Sequence, residues 1–239
     1  MTTERILILV RAMPEESKKY GHTVCVAGLT DNNEWRRLYP FEFRYGKISV
    51  PFKKKDLIEA EIAASDKDKR KESRKISSYR NLNLPQTESD ISKRLETLHC
   101  HISDMEEHGD SICVIKPQLE GIEIAVNDTR LYDDQKYFSL ITGSLETREK
   151  VKMPIEVRYL FRCGGECCAE KPHKIIAIDW EINELARNLL RRHSDKRAVE
   201  RKMKDKLFDW MKSRNLYFIM GTHFKFRTPM IIGIFYPKK

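Results

Sequence analysis

No stretch of the 239 residues holds about 18 consecutive apolar side chains, so the sequence predicts no membrane-spanning helix. The opening apolar run, Ile6 to Val10, is too short for a secretory core and is followed by no small-residue cleavage site. The expectation is a cytoplasmic protein. A phosphate-cradling glycine loop, a nucleophile elbow and a His-Glu-x-x-His helix are all missing, which removes three common signatures of catalysis. Internal repeats and low-complexity tracts are also missing, which argues against a solenoid and against a disordered tether.

What the chain does have is charge. Charged residues make up 34% of it, and 45 Lys and Arg stand against 36 Asp and Glu, a net +9 with an isoelectric point near 9.2. That surplus favours a polyanionic partner such as DNA or RNA, although charge also simply keeps proteins soluble. The hydrophobic fraction, 40%, is enough to bury one large core or two small ones. Aromatic and β-branched residues recur along the whole length, as in a folded chain.

Strand signals dominate. Ile6–Val10, Thr23–Leu29, Trp35–Pro40, Asp56–Ile62, Ser111–Lys116 and Gly121–Val126 read as strands, with Asp31–Glu34 as the turn of a hairpin. Residues 66–80 carry seven basic and three acidic side chains with little apolar content, which predicts a mobile or surface-hugging loop. Thr87 looks like a helix start, with Ile91, Leu95 and Leu98 on one face. Later, Ile155–Arg162 alternates cleanly, a cysteine-rich turn follows, and Lys174–Asp179 returns. Helical patterns over 181–192 and 196–213 and a closing hairpin complete the chain. The predicted class is α+β, with OB-like small β-barrels carrying inserted and C-terminal helices. The expected units are 1–148, a β-rich barrel with a charged loop and helix, and 149–239, with the Cys/His turn and a basic helical segment.

The turn is the most specific local feature. Cys163-Gly-Gly-Glu-Cys167-Cys168 is followed by His173, and zinc takes thiolate and imidazole ligands at four tetrahedral corners. The turn is read as supplying three ligands, with the choice between Cys167 and Cys168 open and His223 as the candidate fourth. Free thiols or a facultative disulfide are the alternatives. An ion there would be structural, because the thiolate-rich set leaves no open position. Without export, the six cysteines are expected as thiols or metal ligands.

Two further groups are candidates. Glu156, Asp179 and Glu181 are carboxylates near strand ends that would serve a metal-dependent nuclease. Equally, Asp179 is placed to cap a helix opening at Trp180, with Glu181 favourable to its dipole. For nucleic-acid contact, residues 191–206 hold eight basic and three acidic side chains, with Arg197, Arg201 and Lys204 on one helical face. Trp35, Arg36, Arg37, Arg44, Lys225 and Arg227 interleave with aromatic residues, a mixture that suits base stacking beside phosphates. Trp35 and Tyr39 at strand spacing fit core positions as well.

Thr23–Gly28 with Trp35–Pro40, the Cys163/Cys168/His173 turn running into Ile178-Asp179-Trp180-Glu181, and Gly221-Thr222-His223 leading to Ile232–Pro237 together resemble a group of prokaryotic dual OB domain-containing proteins. The resemblance implies two small barrels and nucleic-acid binding, with no established activity. The functional expectation is therefore a nucleic-acid-binding protein with a possible structural zinc. The alternatives are a metal-dependent nuclease or an accessory subunit that binds an acidic protein partner.

Overall fold

The computed structural model describes all residues except 18–20, 45–46, 49–51, 67, 128–131, 140–143, 152–154 and 224–225. Side chains are also left undescribed at 15–17, 21–22, 42–44, 47–48, 106, 132–139 and 144–151.

The first unit contains β1 (Thr2–Arg11), β2 (Glu15–Ser17), β3 (Gly21–Thr30), β4 (Trp35–Arg44), β5 (Lys47–Ile48), β6 (Leu57–Ala64) and β7 (Ser73–Asn81). Its strands run in the order β2-β3-β1-β6-β7-β4-β5, and β3 also pairs with β4. Five strands therefore close on themselves as a barrel. Of these pairs only β4 and β7 run parallel. The β3–β4 hairpin forms at the Asp31–Glu34 turn, where Asn33 takes a left-handed backbone at φ 60° that asparagine tolerates. Gly28 on β3 faces β1 so closely that a Cβ there would lie 2.2 Å from the Leu7 carbonyl oxygen. Strand β7 overturns the loop expected over 66–80: from Ser73 onward the segment is ladder, with Lys75 and Arg80 exposed.

A linking segment holds α1 (Glu88–Glu96), whose N-cap Thr87 accepts from the Asp90 N–H at 3.1 Å, and α2 (Ile102–Glu107). The second unit contains β8 (Ile112–Ile115), β9 (Gln118–Val126), a two-stranded ribbon of β10 (Tyr132–Ser139) and β11 (Ser144–Val151), and β12 (Ile155–Arg162). It continues with β13 (His173–Ala177), α3 (Trp180–Arg192), α4 (Lys196–Lys204), β14 (Tyr217–Thr222) and β15 (Pro229–Phe235). Its main sheet runs β8-β14-β15-β13-β12-β9. The two outer strands, β8 and β9, are separated in sequence only by Lys116-Pro117, so both ends of the sheet belong to one bent stretch of chain. Proline there removes a ladder donor and lets the strand change partners.

Strands 112–115 and 118–126 thus hydrogen-bond into the second unit. The two sheets part between residues 81 and 112, ahead of the boundary expected at 148/149. The units share a core in which Leu7, Val10 and Leu29 pack with Val114, Tyr217 and Ile232. Trp180, at the start of α3, packs with the first barrel's Ile6, Val26 and Phe41, while Ile182 and Ala186 of the same helix pack in the second unit. Among the described residues, no helix is long and apolar enough to cross a membrane.

Candidate metal centre and cationic surface

Strand β12 buries Ile155, Val157, Tyr159 and Phe161 on one face, so its end is held firmly where the chain turns at Cys163. Gly164 adopts φ +82°, a left-handed conformation that glycine takes without strain. A single 3-10 turn, Glu166–Cys168, then carries two more thiols, and His173 opens β13 opposite Phe161. The Cys163 sulfur lies 3.4 Å from that of Cys167, 3.6 Å from that of Cys168 and 3.6 Å from Nε2 of His173. Cys167 lies 3.5 Å from the same nitrogen. Ligand atoms of all four residues fall within 4.8 Å of one another, and no other Cys/His/Asp/Glu group among the described residues does so. All six cysteines are unbridged.

This is a cluster of four potential ligands that could hold a metal ion. The cluster contains both Cys167 and Cys168, between which the expectation left the choice open, and His223 is not among its members. His223 belongs to the β14–β15 turn, where its Nδ1 accepts from the Phe226 N–H at 3.3 Å and its ring stacks on Phe226. The ligand atoms are also supported from behind. His101 Nδ1 bonds the Cys163 carbonyl at 2.9 Å, and its ring lies over the glycine pair: a Cβ on Gly165 would come within 2.9 Å of it. Arg162 donates to the carbonyls of Cys168 and Ala169 and pairs with Glu120. Burial pushes the Cys163 thiol up to about 11. The Cys168 thiol is lowered in spite of its own desolvation, because the Cys163 N–H and thiol bond to its sulfur and Arg162 adds positive charge. Sequence reading missed His101 and Arg162. The His101 contact spans 62 positions of the chain, and nothing near His101 in sequence signals it.

The carboxylate trio is not gathered. Asp179 is 1% exposed and both of its oxygens are engaged: it accepts from the Glu181 N–H at 2.8 Å and the Ile234 N–H at 2.8 Å, and it pairs with Lys54. Its role is to cap α3 and join the units. Glu181 is shared with Lys54 at 3.3 Å, and Glu156 pairs with Arg158 at 2.7 Å on the outward face of β12.

The candidate nucleic-acid contacts separate into two groups. Arg37 is 5% exposed, bonded to Glu72 and to the Ser111 carbonyl, and Arg36 is held by Glu4 at 2.7 Å and Glu34 at 2.6 Å. Trp35 is half-buried against the shared core. Of the three, Arg37 is buried, whereas Trp35 and Arg36 are half-buried and line a cleft. Tyr39, a candidate core ring, is exposed instead. The Arg44 side chain and Lys225 lie outside the described residues. Arg197, Arg201 and Lys204 are exposed along α4, whose other face buries Val199 and Met203, and no carboxylate among the described residues lies within 4.0 Å of them. Arg227 is exposed in the β14–β15 turn beside Phe226, which is 76% exposed. That turn borders a cleft of about 590 Å³ between the units, also lined by Asp68, Lys69, Arg70 and Lys71.

Two family models match the chain. One, described as Domain of unknown function (DUF8758), matches residues 2–100. The other, Domain of unknown function (DUF8757), matches residues 95–239. Their meeting point agrees with the parting of the two sheets. No curated protein matches the chain.

Proposed function

The chain belongs to the family described as Domain of unknown function (DUF8757), and we propose that it is a nucleic-acid-binding protein of two OB-like barrels with a structural zinc ion in the Cys163–His173 turn. The observation that carries this reading is the contrast between cations. In the first unit Arg5, Arg36, Arg37, Lys54, Arg70 and Arg80 each face a carboxylate, and the exposed cations that face none among the described residues, Lys53, Lys69 and Lys75, are scattered over loops and a strand, whereas Arg197, Arg201 and Lys204, which also face none, form one helical row on α4. An unneutralised row of cations at helical spacing suits a row of phosphates, which release counterions on binding.

Strand pairing supports the barrel reading. In the first unit one long strand, and in the second the consecutive strands β8 and β9, pair by the N-terminal part with one strand and by the C-terminal part with another. Thr2–Leu7 pairs with β6 and Ile6–Arg11 with β3, while Ile112–Ile115 pairs with β14 and Gln118–Val126 with β12. Each unit also has one parallel pair, β4–β7 or β13–β15. A five-stranded Greek-key barrel that offers loops and aromatic rings to nucleic acid is the OB design. Exposed Phe226 beside Arg227 supplies such a ring. This scheme supports the resemblance to dual OB domain proteins. Three thiolates and an imidazole favour zinc, whose bonds to sulfur of about 2.3 Å set sulfur separations of about 3.8 Å, close to those observed. Bound zinc would cross-link β12 to β13 and hold the sheet that backs α4.

The test is a salt titration of binding to single- and double-stranded DNA and RNA, with the triple variant Arg197→Gln, Arg201→Gln, Lys204→Gln beside the native chain. Loss of three phosphate contacts should flatten the plot of log K against log salt by about 2.7 for a duplex and about 2.1 for a single strand. Absence of binding at low salt would sink the reading and leave the row of cations to an acidic protein partner.

A further inference from the structure

Beyond α4 the helix continues as a π-helical turn, Asp205–Trp210, and a 3-10 turn, Met211–Ser213. Inserted π turns realign side chains and recur at functional sites. Here the turn sets Lys206 against Trp210, with its Nζ 3.2 Å from the ring centroid, and Arg214 brings its guanidinium carbon to 4.3 Å from the same centroid. Two cations therefore meet at one half-buried ring. Neither has a carboxylate within 4.0 Å among the described residues, and the Nε of Arg214 is buried without an acceptor. Glu88 is bonded to Lys55 at 2.6 Å, and Asp179 and Glu181, which line the recess beside Lys206, are both held by Lys54. Attraction to a ring is weak at a half-exposed site and does not neutralise a pair of like charges.

We propose that Lys206 and Arg214, gathered around Trp210, form a phosphate-binding subsite. The site takes a phosphate group and not a base, because cations already occupy the approach to the ring on which a base would stack. Desolvation, and after it the charge of Arg214, depresses the ionisation of Lys206, and an anion between the two would relieve the second effect. The phosphate has two sources, a free phosphate compound or the backbone of a polynucleotide. The second rests on the nucleic-acid reading above, and the first does not.

The test uses the full chain and two probes, pyrophosphate and a fluorescein-labelled single-stranded oligonucleotide. Trp210 emission is taken as the difference between the native chain and Trp210→Phe, and oligonucleotide binding is followed separately by anisotropy. The inference expects pyrophosphate to change Trp210 emission, with Lys206→Gln and Arg214→Gln each weakening that response about tenfold or more at unchanged far-ultraviolet dichroism. An emission response to pyrophosphate alone identifies a free phosphate compound as the source. A response to both probes identifies the polynucleotide backbone as well. Oligonucleotide bound by anisotropy, with Trp210 silent to both probes, overturns the subsite while the α4 reading stands. Pyrophosphate response without any oligonucleotide binding upholds the subsite while that reading fails.

Discussion

Single atoms decide several features of this molecule. Gly28 lies on β3 with no space for a side chain, since its Cβ would meet the Leu7 carbonyl at 2.2 Å, which is backbone and cannot rotate away. Gly28→Ala is expected to strain the β1–β3 ladder and destabilise the fold by about 1–3 kcal/mol or more, read as a lower urea midpoint. Lys54 is the residue on which Asp179 depends. Both are nearly inaccessible, and the pair joins the first unit to the cap of α3. Lys54→Met would leave a buried carboxylate without its cation, with an expected cost of about 3–5 kcal/mol. Asp179→Asn in the same background should recover part of that loss. If the double variant is no more stable than Lys54→Met, the pairing does not act as described.

At the level of elements, the Cys/His turn depends on both of the strands that flank it and on α2 behind it. If the four ligands hold a metal, Cys163→Ser should release it, and cobalt added to the native chain should give intense thiolate charge-transfer bands that the variant lacks. His101→Ala leaves every ligand in place but removes the ring over Gly164 and Gly165, and it is expected to weaken metal retention by about 10–100-fold. A second element, the link from β6 to β7, ties the units together. Arg70 bonds Asp68 and reaches the Thr222 carbonyl at 2.8 Å, and Ser73 donates to Asp68 at 2.7 Å. Desolvation raises the Asp68 carboxyl, but bonds from Arg70 and Ser73 outweigh it and hold it below its usual value. A depressed carboxyl contributes stability above the unfolded value of about 3.9 and loses it as pH falls through the folded value. The stability difference between the native chain and Asp68→Asn should therefore be present at pH 7 and vanish under strongly acidic conditions. A pH-independent difference in melting temperature would contradict the assignment.

As a whole, the two units share one stretch of core and several latches: Arg37 to Ser111, Arg70 to Thr222, Lys54 to Asp179, and the Ala12–Asp179 bridge. The expected outcome is one cooperative thermal transition, with calorimetric and van't Hoff enthalpies that agree. Two resolved transitions would mean that the shared core does not couple the units. The same packing commits Arg37, Lys54 and Arg70 of the first unit to these latches, whereas Arg197, Arg201 and Lys204 on α4 stay exposed.

What the sequence determined by itself was local. Alternation marked β12, turn chemistry marked the Asp31–Glu34 hairpin, capping residues marked α1 and α3, and the Cys163–His173 spacing marked the ligand turn. Each of these rests on residues a few positions apart, whose geometry follows from backbone periodicity. Long-range decisions were left to the tertiary structure: that β8 and β9 join the second sheet, that β7 leaves its charged loop to pair with β6 and β4, and that Arg37 is buried against Glu72 and Ser111. It also brought Cys167 and Cys168 together with Cys163 and His173, with His223 outside the group. Those outcomes depend on which distant side chains meet, as when Lys54 meets Asp179 across 125 positions, and no periodicity within a segment encodes that meeting.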